Sequence, residues 1–201
     1  MSEHYYSKKT EAKSEQRSWP FTLRGNEFTF TTDHAVFSKK EVDYGSRLLI
    51  DSFTEPAVTG ELLDLGCGYG PIGLALAAAF PERQVQMVDV NERALELARH
   101  NALQNSITNV RINESDRFQA IEDRVFAAIV TNPPIRAGKQ VVHAMFTEAK
   151  SHLIEGGEIW VVIQKKQGAP SAKKKLEEVY GECEVIAKEK GYYILKAKTI
   201  D

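Results

Sequence analysis

Three alternate glycines in Asp64-Leu65-Gly66-Cys67-Gly68-Tyr69-Gly70 are the sharpest chemical feature of this sequence. Without Cβ atoms in the way, such a backbone turns tightly and lets a ligand come close, while its free N–H groups point at whatever lies above. Two ligand classes compete for a cradle of this kind. Gly68-x-Gly70-x-x-Gly73 satisfies the dinucleotide fingerprint, and Asp89 follows after about 20 residues, where a ribose-binding acid belongs. Asp64 argues the other way. Directly off a strand, its carboxylate would repel a pyrophosphate and attract a cationic amino-acid moiety.

S-Adenosylmethionine has an ammonium, a sulfonium and no phosphate, and the next acids stand where it would want them. Asp89, in Met87-Val88-Asp89-Val90-Asn91, can accept from both ribose hydroxyls. Asp116, in Glu114-Ser115-Asp116-Arg117-Phe118, can accept from the adenine amino group, or it can serve as a helix cap. The expected cofactor contacts are thus Asp64, Gly66, Cys67, Gly68, Gly70, Asp89 and Asp116, with Val90 and Arg117 beside the acids. No Tyr-x-x-x-Lys pair points to a dehydrogenase, although a nicotinamide oxidoreductase stays open on the glycine pattern alone.

A second constellation is Thr131-Asn132-Pro133-Pro134-Ile135. Two prolines after a strand remove two N–H donors and leave carbonyls free. The Asn132 side-chain carbonyl and the Pro133 main-chain carbonyl can then grip both hydrogens of an NH2 group, favouring the pyramidal form whose lone pair can attack a methyl group. Asn132, Pro133, Pro134 and Ile135 form the expected catalytic set, with Asn132 also touching the cofactor. No strong base is needed before transfer. His34, His100, His143, His152, Cys67 and Cys183 show no metal-ligand spacing, so no metal is expected.

The elements that must position these groups follow from periodicity. Phe21–Arg24 and Glu27–Phe30 alternate around Gly25-Asn26 as a hairpin with a type II′ turn. A short helix is expected from about Tyr44. From Glu61 onward strands alternate with helices: strands at Leu62–Leu65, Val85–Val88, Val110–Ile112, Val125–Val130 and Glu158–Ile163, and helices at Pro71–Phe80, Glu92–Leu103, Lys139–Ile154 and Lys173–Tyr180. Glu184–Lys188 and Tyr192–Lys196 close the chain as an antiparallel pair. The expected fold is an α/β, doubly wound, mostly parallel seven-stranded Rossmann-like sheet with an antiparallel C-terminal hairpin and an N-terminal β-hairpin. A polar arm over residues 1–18 precedes a single domain over 19–201.

With these residues in view, the sequence resembles class I S-adenosylmethionine-dependent methyltransferases, most closely the ribosomal RNA small-subunit methyltransferase C type in a short single-domain form. The resemblance runs from about Trp19 to Lys198 and includes Val36-Phe37-Ser38-Lys39-Lys40-Glu41-Val42-Asp43-Tyr44-Gly45-Ser46. In that group this segment lies over the cofactor, which implies Phe37 as a cofactor contact and Asp43 and Gly45 as further lid contacts. It also implies methylation of a guanine N2 amine in small-subunit ribosomal RNA. One departure is Ile135, which stands where related amino-methyltransferases carry an aromatic ring that stacks on the base. Adenine N6, a protein glutamine amide, or a non-catalytic RNA-binding role on the same fold remain as alternatives.

The whole chain of 201 residues has a formal charge of −2, which conceals a division. Residues 46–135 have 7 Lys and Arg against 12 Asp and Glu, whereas 136–175 have 8 against 3. An acidic half suits a cationic cofactor, and the basic stretch suits a polyanion. Arg136, Lys139, Lys165 and Lys166 are the expected RNA contacts, with Lys173–Lys175 as further candidates. Ribosomal RNA or the small ribosomal subunit is the expected partner, acting with a monomer or homodimer. With no apolar run of membrane-spanning length and no signal-peptide pattern at the start, a cytoplasmic location is expected.

Overall fold

The computed structural model describes residues 13–34 and 41–200. Phe37 and residues 1–12 of the expected arm therefore lie outside the described residues. Alternating rings make the first element a hairpin: β1 (Gln16–Leu23) pairs antiparallel with β2 (Asn26–Asp33), Leu23 opposite Asn26. The turn is thus Arg24-Gly25, one residue earlier than expected. Both residues have positive φ, 50° and 77°, which is type I′ geometry and not type II′. Arg24 is also held from outside, since its guanidinium donates to the carbonyls of Ile50 and Phe53 at 2.8 Å each. Gln16–Ser18, expected in the arm, belong to β1 and pair with Asp33–Thr31.

The main sheet has the order β5-β4-β3-β6-β7-β9-β8. Its parallel strands are β3 (Leu62–Leu65), β4 (Val85–Asp89), β5 (Val110–Glu114), β6 (Phe126–Thr131) and β7 (Leu153–Gln164). β9 (Tyr192–Lys198) runs antiparallel to β7, and β8 (Glu184–Glu189) closes the edge antiparallel to β9. This is the doubly wound, seven-stranded arrangement expected. Strands such as β3 and β6 are buried along their whole length, so their sequences are mostly apolar, as parallel strands covered on both faces require, with Asp64 and Thr131 the polar exceptions.

Successive side chains on these strands feed two cores. Leu62 packs with the layer containing the hairpin, α1 (Tyr44–Ser52), α2 (Pro71–Ala79) and α3 (Glu92–Gln104), through Phe30, Leu49, Leu74 and Leu95. Leu63 packs with α4 (Lys139–Ser151) and α5 (Ala169–Tyr180), through Phe146 and Leu176. α3 also holds the hairpin. Buried Asn101 receives the Thr31 N–H at 2.7 Å and donates to the carbonyls of Thr31 and Tyr69 at 3.0 and 2.9 Å.

One boundary differs in an instructive way. The helix expected over Lys139–Ile154 ends at Ser151, and Gly156 and Gly157, a pair that reads as a helix stop, lie inside β7. A Cβ on Gly157 would stand 2.8 Å from the Ile154 carbonyl oxygen and 3.1 Å from that of Phe126. Gly157 is there for close backbone approach within a bulged strand pair, not to end a helix.

Candidate active site

In an open α/β sheet, ligands bind beyond the carboxyl ends of the strands, where the strand order reverses. Here that point lies between β3 and β6, which puts the glycine loop after β3 beside the Asn-Pro-Pro segment after β6. Thr131 ties the two strand ends together, its hydroxyl donating to the Leu65 carbonyl at 2.8 Å.

The loop is not the open set of donors expected. Gly66 and Cys67 N–H both donate to the Val88 carbonyl at 2.9 Å, Gly68 N–H to Asp89 Oδ2 at 2.9 Å, and Gly70 N–H to the Cys67 carbonyl at 3.0 Å. With these four donors consumed inside the protein, the loop offers a pyrophosphate little to bind, and the dinucleotide reading loses its physical basis. What the glycines supply is shape. Gly66, Gly68 and Gly70 all have positive φ, and a Cβ on Gly66 would meet only open space. Gly70 opens α2 in the left-handed conformation, and Pro71 begins the helix where its missing N–H costs nothing. Cys67 is buried, and that burial pushes its thiol pKa up, leaving an inert side chain.

Asp89, at the end of β4, is fixed on both sides: Oδ2 accepts from Gly68 N–H, and Oδ1 accepts from Asn91 N–H at 2.9 Å. Asp64 is placed differently from expectation. It lies 1% exposed beneath the loop and lines neither of the two cavities described below. Its Oδ2 accepts from Gly73 N–H at 2.8 Å, supplying an acceptor to the first turn of α2 that Gly70 cannot provide. Its Oδ1 is buried without a hydrogen-bond partner among the described residues. Burial pushes the Asp64 carboxyl up to about 7, against the Gly73 bond that pulls it down.

A cavity of about 410 Å3 opens above β3 and β4. Leu65, Val88, Val90, Val141 and Met145 form apolar walls, and Asp89 and Asp116 line it with carboxylates. Arg117 lines it too, at a φ of 52°, with its guanidinium turned to Glu148 at 3.4 Å. Ser115, not anticipated from sequence, shapes this corner by donating to the Arg117 carbonyl at 2.7 Å and accepting from Ala120 N–H at 3.0 Å. A second cavity of about 220 Å3 is lined by Asp43, Ser46, Cys67, Gly68, Tyr69 and Pro133 among others. Gly66 and Asn132 line both, so the two cavities adjoin along that rim. Among the described residues no group of three His, Cys, Asp or Glu is placed to hold a metal ion. No described helix is long and apolar enough to cross a membrane.

The Asn-Pro-Pro segment divides its residues. Asn132 is exposed, and its Nδ2 donates to Ser46 Oγ at 3.1 Å and lies 3.4 Å from Asp43 Oδ2. The Pro133 carbonyl accepts from Ile135 N–H at 2.9 Å, with Pro134 at φ −75° and ψ 80° as the centre of an inverse γ-turn. That turn swings Ile135 away. Ile135 lines a separate cavity of about 100 Å3 with Lys139, Val142, His143 and Ile163, and packs on the α4–α5 core. Pro134 lines the larger cavity instead. Gly45, expected over the cofactor, faces the sheet: a Cβ there would lie 2.7 Å from the Tyr192 ring.

Arg136, Lys139, Lys165 and Lys166 are exposed and have no ion pair among the described residues. Lys173 and Lys175, by contrast, are paired along α5 with Glu177 and Glu178, which makes them poorer candidates for phosphate contact.

The residues fit an adenosine joined to a cationic tail. The larger cavity offers apolar walls and two carboxylates, the glycine loop leaves room where a Cβ would stand, and an unpartnered Asp64 oxygen puts negative potential beneath it. Fold and site together define an S-adenosylmethionine-dependent methyltransferase.

Comparison with known proteins specifies this further. The model of the methyltransferase small domain family matches residues 27–196, and the chain belongs to that family. "Uncharacterized protein YbxB" of Bacillus subtilis (strain 168) is 62% identical over 201 residues, covering all of both chains. Ribosomal RNA small subunit methyltransferase C of Haemophilus ducreyi is 35% identical over 188 residues, 91% of this chain and 55% of that one. The structure of the T. thermophilus 16S rRNA N2 G1207 methyltransferase (RsmC) in complex with AdoMet and guanosine is similar with a TM-score of 0.81 at 28% identity. It is matched over 92% of this chain and 50% of that one, so the chain spans about half the length of these ribosomal RNA methyltransferases.

Proposed function

We propose that the protein is a cytoplasmic N-methyltransferase acting on the exocyclic N2 amine of a guanine in small-subunit ribosomal RNA. The observation that best supports this is the position of Asn132, on the rim between the two adjoining cavities and next to the Pro133 carbonyl. An exocyclic amine has two N–H donors and a lone pair delocalised into its ring. The Asn132 side-chain oxygen and the second lone pair of the Pro133 carbonyl give those donors two acceptors, which favours the pyramidal amine. The similarity to a guanosine-bound N2 methyltransferase supports guanine as the base.

S-Adenosylmethionine supplies a methyl group on a positively charged sulfur. Asp89 would hold its ribose hydroxyls and Asp116 its adenine amino group, with Leu65, Val88, Val90 and Met145 excluding water. Asp64 would act through space, as a buried negative charge under the loop and not as a direct ligand. Arg136, Lys139, Lys165 and Lys166 would meet phosphates around a nucleotide turned out of its stack. Ile135 points elsewhere, so the stacking partner for the base comes from another side chain or is missing. The proton lost on N-methylation passes to solvent at the exposed rim.

Labelled methyl transfer to small-subunit ribosomal RNA, followed by mass mapping, tests the reading. N2-methylguanine is the expected product. Methyl groups found on adenine N6 or on protein glutamine, or no transfer at all, would overturn it.

A further inference from the structure

The described side-chain contacts of Asn132 are with two residues at the start of α1, 86 and 89 positions away in sequence: Ser46 Oγ at 3.1 Å and Asp43 Oδ2 at 3.4 Å. An asparagine amide can be turned end for end with little change of shape, but its two ends do opposite chemistry. A target NH2 group has N–H donors to place, so an amide presenting its own NH2 would offer it no acceptor. Something must decide which end faces the target.

Ser46 cannot decide, because a hydroxyl both donates and accepts. Asp43 can, because an ionised carboxylate only accepts. With Asn132 Nδ2 toward α1 the contact is attractive, whereas the flipped amide would set its oxygen against a carboxylate oxygen at the same distance. Asp43 is itself held firmly. It is the N-cap of α1, its Oδ2 accepting from Ser46 N–H at 3.1 Å, and the helix is pressed on the sheet at Gly45.

We propose that Asp43 is a positioning residue for methyl transfer, fixing the Asn132 amide so that its oxygen faces the incoming amine. The inference rests on the N-methyltransferase reading above. Asp43 lines the smaller cavity beside Asn132, so bound cofactor and RNA would cover the pair and strengthen it by excluding water.

Three variants test this. Asp43→Ser keeps a helix cap, since Ser caps as well as Asp, but its hydroxyl is shorter and both donates and accepts, so it no longer dictates which end of Asn132 faces it. Its kcat should fall about tenfold, with cofactor Kd within about twofold and the unfolding midpoint unchanged. Asn132→Asp brings two carboxylates together and should lose at least about a hundredfold. Combining the two changes removes one of the facing carboxylates, supplies a hydroxyl that can donate to the other, and leaves a carboxylate oxygen for the amine. It should recover about tenfold over Asn132→Asp alone.

A second readout needs no turnover. The Asn132 side-chain NH2 resonance, assigned by its loss in Asn132→Asp, should shift in Asp43→Ser. Wild-type kcat in Asp43→Ser, a double variant no faster than Asn132→Asp, or an unmoved amide resonance would each overturn the proposal. If the wild-type protein methylates no RNA, the proposed function fails, while the amide shift still tests the Asp43 contact by itself.

Discussion

Asp89 and Asn132 stand at the ends of strands separated only by β3, yet they are held in contrasting ways. Asp89 is buried, with each oxygen bound to a backbone N–H at 2.9 Å. Asn132 is exposed and meets two side chains at 3.1 and 3.4 Å. Around Asp89 the loop N–H groups are satisfied and the pocket has its shape in advance. Asn132 and the cations Arg136, Lys139, Lys165 and Lys166, which have no ion pair among the described residues, are exposed instead. A site for a small, invariant cofactor is built into backbone hydrogen bonds. On the proposed function, the site for a large polyanion is left at the surface, where long side chains can adjust.

Removing Asn132 should separate the two sides most sharply. Asn132→Ala is expected to lower kcat about a thousandfold, with cofactor affinity within about twofold by calorimetry and stability within about 0.5 kcal/mol. Equal losses of turnover and cofactor binding would erase the division. Asp89→Ala should do the reverse, weakening cofactor binding about a hundredfold and lowering stability by about 1–3 kcal/mol, because two buried N–H groups lose their acceptor.

Asp64 makes the contrast pH-dependent. Its folded pKa of about 7 stands above the ordinary carboxylate value, so the folded chain binds the extra proton. Its contribution to stability is therefore complete below about pH 4 and lost as pH rises through 7, on the order of 4 kcal/mol. Chemical unfolding at pH 5 and 8 should show this slope, and Asp64→Asn should flatten it. A cationic ligand favours the ionised form, so cofactor affinity should rise over the same range.

Two glycines sharpen the comparison at smaller scale. A Cβ on Gly73 would stand 2.7 Å from Met87 Sδ and 2.9 Å from Asp64, whereas one on Gly66 meets open space. Gly73→Ala should cost about 1–3 kcal/mol of stability by overpacking. Gly66→Ala should cost about 1–2 kcal/mol through its positive φ and show a further loss in cofactor binding. Smallest of all, Lys165→Ala or Lys166→Ala should weaken RNA binding a few-fold and reduce the salt slope by about 1.

Much of this was legible in the sequence, because parallel strands and amphipathic helices write their periods plainly. Leu62–Leu65 and the helix start at Pro71 are found where expected. What one dimension hides is direction. Nothing local distinguishes an Asp64 facing a ligand from one capping α2 from below, or an Ile135 over a base from one turned into the α4–α5 core by a γ-turn. The hairpin turn slipped by one residue because Asn26, a good turn former, is taken into β2 opposite Leu23. The Asn132–Asp43 contact was out of reach because it joins residues 89 apart.

The Asn101 amide that clasps the hairpin has a consequence for how the chain is made. Thr31 and Asn101 are 70 residues apart. At about 5–20 residues per second of synthesis, the hairpin waits roughly 4–14 s for its anchor. Two strands alone are marginal in water, so Trp19, Phe28 and Phe30 lack their cover during that interval. The same amide also pins the Tyr69 carbonyl in the glycine loop. The hairpin is thus made before the residue that secures it, and its docking finishes the wall on which the cofactor loop rests.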